Sequence, residues 1–535
     1  MTAVDLFFAV GPVLLLIYWM TKKTPMSSTH ALPLAAVVTY GVRLIWFGTD
    51  ANLVNASVVA GLLVALTPIL IVWGAIFLFR TMQHCGAMET IRHWLNHLSR
   101  NRVAQVVIIG WSFQFLIEGA SGFGTPAALA APLLVGAGFP PLRVVMACLI
   151  LNSVPVSFGA VGTPTWFGFA QLGLDDTELQ AVAWKTALVH SVATCIVPFL
   201  AFRLLLSWQE IGRNLGFISL ALAASVVPML LLSMVDNEFP AVVGGMIGLL
   251  ITVWMAQRCI GLAPEVEPKA QEDHSEATVT LPSSRAIVMA LFPLWATVLV
   301  LLATRIPTFG LRKLLTAESP VWTIPLGSLG SFAISPAIVL QLQGIFGTDV
   351  QWTHQLLYVP SLVPFVIVSV ISWHLLGAPI GTANKVWRES AAQIRNPIIA
   401  LLGALVLVRL LTVGGDRSSV QLIGRQLAAI TGDWWQFLAV YLGAIGAFFA
   451  GSCTISNLTF GPIQDSIATR MELDRTTILA LQSVGAAMGN MVAIHNIVAV
   501  CSVLGLGNRE GEILKQTIGP MLLYGIIAAV MSLIL

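Results

Sequence analysis

Apolar runs long enough to span a bilayer recur from Val4 to Leu535, and this one feature decides most of what the chain can become. A spanning helix needs about 20 mostly apolar residues, because the hydrocarbon layer is about 30 Å thick and a helix rises about 1.5 Å per residue. Length and hydrophobicity together give about 12 to 14 such segments, near residues 4–20, 31–47, 54–79, 103–117, 142–160, 181–206, 215–234, 239–256, 285–303, 355–376, 397–413, 434–450, 477–503 and 516–535. Hydrocarbon offers backbone polar groups no partner, so runs of this kind fold as helices. The expected fold class is an all-α polytopic membrane protein. Of 535 residues 57% are hydrophobic and 10% charged, against about 45–50% and about 25% in a soluble globular domain.

Several classes of function fall away on the same grounds. A net charge of +2, spread between apolar runs, marks no nucleic-acid surface. The six cysteines form no CxxC pair and no zinc spacing, and most lie in or beside apolar runs, where they read as small buried hydrophobes. No G-x-x-x-x-G-K-[ST] phosphate loop occurs, so solute movement would be channel-like or driven by a gradient. Acids, His and Cys are not clustered at catalytic spacing, which argues against a membrane-embedded enzyme. Trp residues such as Trp19, Trp46, Trp94, Trp352, Trp387, Trp434 and Trp435 stand near predicted helix ends and read as an interfacial belt rather than a cofactor box. No metal or cofactor is implied.

The start of the chain lacks a basic region and a small-residue cleavage site, so the run from Val4 to Met20 reads as a retained helix. Lys22 and Lys23 follow the first helix, no basic residue lies between Gly48 and Ser57, and Arg80, Arg92, Arg100 and Arg102 follow the third. By the positive-inside bias the N-terminus then faces outward. The polar, Pro-containing stretch 257–284 reads as a linker between an N-terminal membrane half, 1–256, and a C-terminal half, 285–535. Ser319 to Phe346 is apolar but carries Pro320, Pro325, Gly327, Gly330 and Pro336, which predicts a broken or re-entrant helix.

Two segments put helix breakers at membrane depth. The first is Glu118-Gly-Ala-Ser-Gly-Phe-Gly-Thr-Pro126, opening a hairpin motif over 118–135. The second is Gly451-Ser-Cys-Thr-Ile-Ser-Asn-Leu-Thr-Phe-Gly-Pro462, opening one over 451–468. Irregular backbone survives at that depth only when buried in protein or lining a polar cavity, so each predicts a re-entrant tip. Each break is followed by a Ser-Val pair with a glycine six residues after the Ser: Ser153 to Gly159 and Ser483 to Gly489. Ser121 and Ser153 are 32 residues apart, Ser452 and Ser483 are 31. Two inverted repeats would bring the tips together near the midplane, where opened helix ends favour an anion.

The words from Phe113 to Pro132, with Gly138-Phe-Pro-Pro141, Asn152-Ser153, Gly162-Thr-Pro-Thr165 and Arg395-Asn-Pro397, resemble the L-lactate permease family over nearly the whole chain. The resemblance implies proton-coupled uptake of L-lactate and related 2-hydroxymonocarboxylates (D-lactate, glycolate) across the cytoplasmic (inner) membrane. It also implies a distant likeness to ion transporters built on hairpin tips and broken helices. Its partners would be a small organic anion, a proton and membrane lipid, with a homodimer expected by analogy with distant relatives. The family pattern implies an acidic residue after Gly-Ser at the second tip; here Cys453 follows Gly451-Ser452.

Against that background individual residues acquire candidate roles. Glu118 is a carboxyl at membrane depth, costly to keep charged, and so either a proton carrier or a brace of the hairpin. His495 could exchange protons near neutrality without further tuning, and His190 carries a weaker form of the same argument. Arg409, inside the run 397–413, could pair with a substrate carboxylate or snorkel to the interface. Arg143 and Lys185 read as interface anchors. Ser121, Gly122, Gly124, Thr125, Ser153, Thr163, Ser452, Thr454, Ser456, Asn457 and Asn490 supply the hydroxyl, amide and backbone groups a 2-hydroxy acid needs. Each Ser or Thr among them could equally satisfy a helix carbonyl. A proton- or sodium-coupled carrier for a sugar acid or dicarboxylate is the alternative within transport, and an anion channel a more distant one.

Overall fold

The computed structural model describes residues 3–22, 26–97, 99, 101–122, 125–263, 283–305, 309–359, 362–506 and 509–535. Among these, seven helices are long and apolar enough to cross a membrane, or up to nine if each of two bent pairs counts as one span, and five shorter apolar helices accompany them. The chain is a mostly helical polytopic membrane protein, as the apolar runs predict. Most of the linker, 264–282, lies outside the described residues.

Where the chain departs from uninterrupted spans, polar or small residues sit at the break. The run 142–160 becomes Pro141–Leu151 and then a turn through Pro155–Phe158, bent by 58° relative to what precedes it. Ala160, Val161 and Gly162 there have φ of 44°, 57° and 68°. The run 181–206 divides into Asp176–Thr194 and Val197–Leu205, bent by 43°. The run 477–503 was expected to be continuous, but it divides into Arg475–Gly489 and Ile494–Leu504, with Asn490 at the join. In both halves the backbone therefore breaks just after the glycine that closes the repeated Ser-Val pattern, Gly159 and Gly489.

Glycines also set how closely the arms pack. Gly119 and Gly245 bring Gln114–Ser121 against Pro240–Gln257 so tightly that a Cβ on either would collide with the facing backbone. Gly485 and Gly489 do the same between Arg475–Gly489 and Trp435–Ala450. Small residues at such contacts let dispersion and weak polar contacts hold helices that lipid does not drive together.

Ser319–Phe346 is not a broken helix. The described residues form a four-stranded antiparallel meander in the order β1 (Trp322–Pro325), β2 (Ser331–Ile334), β3 (Val339–Gln343) and β4 (Trp352–Gln355). Trp322 pairs with Ile334, Leu340 with both Ile334 and His354. The Pro and Gly residues cut the apolar run into pieces of four or five residues, too short to repay helix nucleation but long enough for strands. Leu342, Ile345 and Trp352 pack the sheet on Ala56 and Ala60 of Ala51–Val64. The span expected over 355–376 consequently begins only at Val363.

Candidate functional site

Both glycine-rich breaks are hairpin tips. In the first, Gln114–Ser121 ends at Gly122, whose φ of 58° a residue with a Cβ would adopt only under strain, and the chain returns as Thr125–Gly136. In the second, Trp435–Ala450 ends at Gly451, with φ 65°, and returns as Cys453–Arg470. Ser452 caps the returning helix, its Oγ accepting from the Ile455 N–H at 3.3 Å.

Both tips and both broken helices converge on one small cavity of about 20 Å³, lined by Glu118, Gly122, Val156, Gly159, Ala160, Pro164, Gly451, Ser452, Cys453, Thr454 and Asn490. That is room for about one water molecule, so a larger ligand enters only as the tips move apart. The first turn of Cys453–Arg470 faces it, and first-turn N–H groups have no partner within their own helix.

Glu118 is 2% exposed. Its Oε2 accepts from Asn152 Nδ2 at 2.9 Å. Its Oε1 lies so close to Gly159 that a Cβ there would overlap it. Among the described residues no Lys or Arg pairs with this carboxyl. Asn152 Oδ1 is buried with no hydrogen-bond partner. Asn152 stood in the repeat pattern but not among the expected site residues. Its contact spans 34 positions and is made by a helix break, so no local signal announces it.

The expected site residues divide in two. Glu118, Gly122, Ser452, Thr454 and Asn490 line the cavity. Ser121, Ser153 and Thr163 give their hydroxyls to the carbonyls of Ile117, Ile150 and Ala160 at 2.9, 2.7 and 2.5 Å. Ser456 donates to the Gly443 carbonyl at 2.8 Å, and Asn457 Nδ2 to that of Pro164 at 2.9 Å. Gln482 Nε2 reaches Ser456 Oγ at 3.1 Å and Gln464 Nε2 reaches Gln482 Oε1 at 3.0 Å, locking the second hairpin to its broken helix. Arg409 sits in the last turn of Thr382–Thr412, away from the cavity lining, with Nε buried and unpartnered. Gly124 lies outside the described residues, as do the side chains of Thr125 and His495, whose backbones begin Thr125–Gly136 and Ile494–Leu504.

Lys185 is not an interface anchor. It is buried, with Nζ 2.9 Å from Asp474 Oδ1 and 2.8 Å from Thr477 Oγ1. Next to it Arg475 pairs with Asp465, with Glu178 at 2.8 Å and with the Leu172 carbonyl at 2.9 Å. Burial alone would raise the Asp474 carboxyl, but hydrogen bonds from Thr476, Lys185 and Thr477 outweigh it and hold it at about 2. The cluster ties Asp176–Thr194 to the base of the second hairpin.

Paired tips and paired breaks meet around a small cavity inside a helical membrane protein, the kind of arrangement a membrane transporter needs. The "L-lactate permease" family model matches residues 5–535, and the chain belongs to that family. It is 47% identical over 531 residues, 98% of each chain, to a Haemophilus influenzae protein named "Putative L-lactate permease". It is 26% identical to the L-lactate permease of Bacillus subtilis, covering 90% of this chain and 88% of that one. To the glycolate permease GlcA of Escherichia coli it is 25% identical, covering 92% and 89%.

Proposed function

We propose that the protein is a secondary active carrier of the cytoplasmic (inner) membrane that takes up L-lactate, D-lactate and glycolate together with protons. One observation carries the reading: a buried carboxyl that no described Lys or Arg pairs with, Glu118, shares a cavity with the N-terminal turn of Cys453–Arg470. Lactate permeases and a glycolate permease are similar to this chain at nearly the same identity, which supports 2-hydroxymonocarboxylates as a class.

In this reading the substrate carboxylate takes the N–H groups and hydroxyls at Ser452 and Thr454, where about half a positive charge of helix dipole is concentrated. The substrate hydroxyl takes Asn490 and Asn152. A charged Glu118 about 4 Å from that carboxylate would oppose it by about 4 kcal/mol at an effective dielectric constant near 20. This disfavours the doubly charged state about 10³-fold. Substrate then enters only with a proton on Glu118, and loss of that proton drives it out. The two halves act as inverted repeats whose tips expose the cavity alternately to either side.

The test is uptake of labelled L-lactate by proteoliposomes, with and without an inward proton gradient, competed by D-lactate, glycolate, gluconate and succinate. Gradient-dependent uptake competed by D-lactate and glycolate is expected. Uptake competed only by gluconate or succinate would overturn the substrate, and uptake indifferent to the gradient would overturn the coupling.

A further inference from the structure

His190 lies outside the cavity lining, fully buried in Asp176–Thr194, yet both ring nitrogens are engaged. Nδ1 bonds the Tyr524 hydroxyl of the last helix, and Nε2 lies 2.9 Å from Ser157 Oγ. Ser157 sits in the break of the first half, between Val156 and Gly159 of the cavity wall. Its hydroxyl meets the carbonyl of Ser483 at 3.2 Å and accepts from Ser483 Oγ at 3.0 Å, crossing to the second half. The same Ser483 carbonyl takes the thiol of Cys453 at 3.7 Å, and Cys453 lines the cavity at the second tip.

We propose that His190 is a positioning residue for the substrate cavity, acting through Ser157 and Ser483 to hold the first broken helix and the second tip in register. A neutral imidazole satisfies the whole chain: Tyr524 O–H donates to Nδ1, Nε2–H donates to Ser157, and Ser157 O–H donates to the Ser483 carbonyl. Every group in the chain is then used, so none is left over to meet substrate. The chain fixes the cavity wall at two points, Val156–Gly159 beside Glu118 and Cys453 at the second tip. Loosening it widens the cavity and lowers affinity before it touches the proton step. The inference rests on the proposed carrier function for its transport readout, and on geometry alone for its labelling readout.

The experiment compares His190→Ala, His190→Gln, Ser157→Ala and Tyr524→Phe with the unaltered protein. The first readout is KM and Vmax for L-lactate in proteoliposomes. The second is the rate at which N-ethylmaleimide modifies each cysteine, resolved by mass spectrometry in detergent. His190→Ala and Ser157→Ala are each expected to raise KM about 5-fold or more with Vmax within about 2-fold, the cost of leaving buried polar groups unpaired. A double variant carrying His190→Ala and Ser157→Ala should equal either single one, and His190→Gln, which can still donate to Ser157, should recover part of the loss. Cys453 modification should speed up about 5-fold or more in the same variants while exposed Cys195 and Cys259 stay unchanged. Additive KM effects, an unmoved Cys453 rate, or loss of proton-driven accumulation at unchanged KM would each overturn the proposal. If His190→Ala does not fold, Ser157→Ala and Tyr524→Phe decide it by the same two readouts. If the unaltered protein takes up no L-lactate, the carrier reading fails and the Cys453 rate alone decides this one.

Discussion

Replacing Glu118 by Gln removes the only ionisable group among the described residues that lines the cavity besides the Cys453 thiol, and keeps nearly the same shape. The Gln carbonyl can still accept from Asn152 Nδ2, so the 2.9 Å bond that braces the first tip survives. What disappears is the about 4 kcal/mol of like-charge opposition that makes substrate entry conditional on a proton. For an electroneutral carrier moving one proton per anion, a gradient of one pH unit is worth about 1.4 kcal/mol, an accumulation of about 10-fold. Liposomes holding the unaltered protein should therefore concentrate labelled L-lactate about 10-fold under that gradient. Liposomes holding Glu118→Gln should stop at equal concentrations inside and out, while exchange of internal for external lactate continues. The steady-state ratio and the exchange rate are measured on the same preparation. Accumulation by Glu118→Gln that still follows the gradient would refute the reasoning, because no other carboxyl lines the cavity among the described residues.

Two further substitutions probe the cavity wall. Gly159→Ala puts a methyl into Glu118 Oε1, and overpacking of this kind costs about 1–3 kcal/mol. L-lactate uptake per folded protein is expected to fall about 10-fold or more, and uptake within 2-fold of the unaltered rate would remove Gly159 from the site. Ser121→Ala and Ser452→Ala form a matched pair, since one hydroxyl serves the Ile117 carbonyl and the other caps Cys453–Arg470 at the cavity. The first should change KM and thermal stability little. The second should lower stability by about 0.5–2 kcal/mol in thermal unfolding and raise KM, and equal effects from both would contradict the division of roles drawn here.

How much of this was legible beforehand depended on the range of each signal. The spans and the two tips are local: apolar length and helix breakers are written in consecutive residues, and both were read. Five of the expected site residues line the cavity because they sit at the breaks themselves. Ser153, Ser456 and Asn457 carry the same side-chain chemistry, but helical geometry turns them towards neighbouring carbonyls, and a sequence does not show which way a hydroxyl turns. Asn152, Lys185 and Ser157 were missed or misread because their partners lie 34, 289 and 326 positions away. The meander at 322–355 was misread for the opposite reason. Its apolar content suggested helix, while its Pro and Gly spacing, the local signal that mattered, fits strands.

The repeat pattern itself is broken where it matters for function. Gly122 and Gly451 end the outgoing helices of the two tips, 329 residues apart, and in that register the position that matches Glu118 is Ala447. The cavity therefore carries an acid from the first tip and a helix N-terminus from the second, which gives it a direction. On the proposed carrier reading an anion entering it would place its carboxylate at Ser452 and its other end at Glu118 and Asn152, whose Oδ1 has no partner. A 2-hydroxy acid offers a hydroxyl to that orphan oxygen, and propionate offers a methylene. Leaving a buried acceptor unpaired costs about 1–3 kcal/mol, so propionate should compete with L-lactate about 5- to 150-fold more weakly than glycolate does. Equal competition by propionate would mean that the orphan oxygen does not read the hydroxyl, and that the selectivity of the site lies in its size.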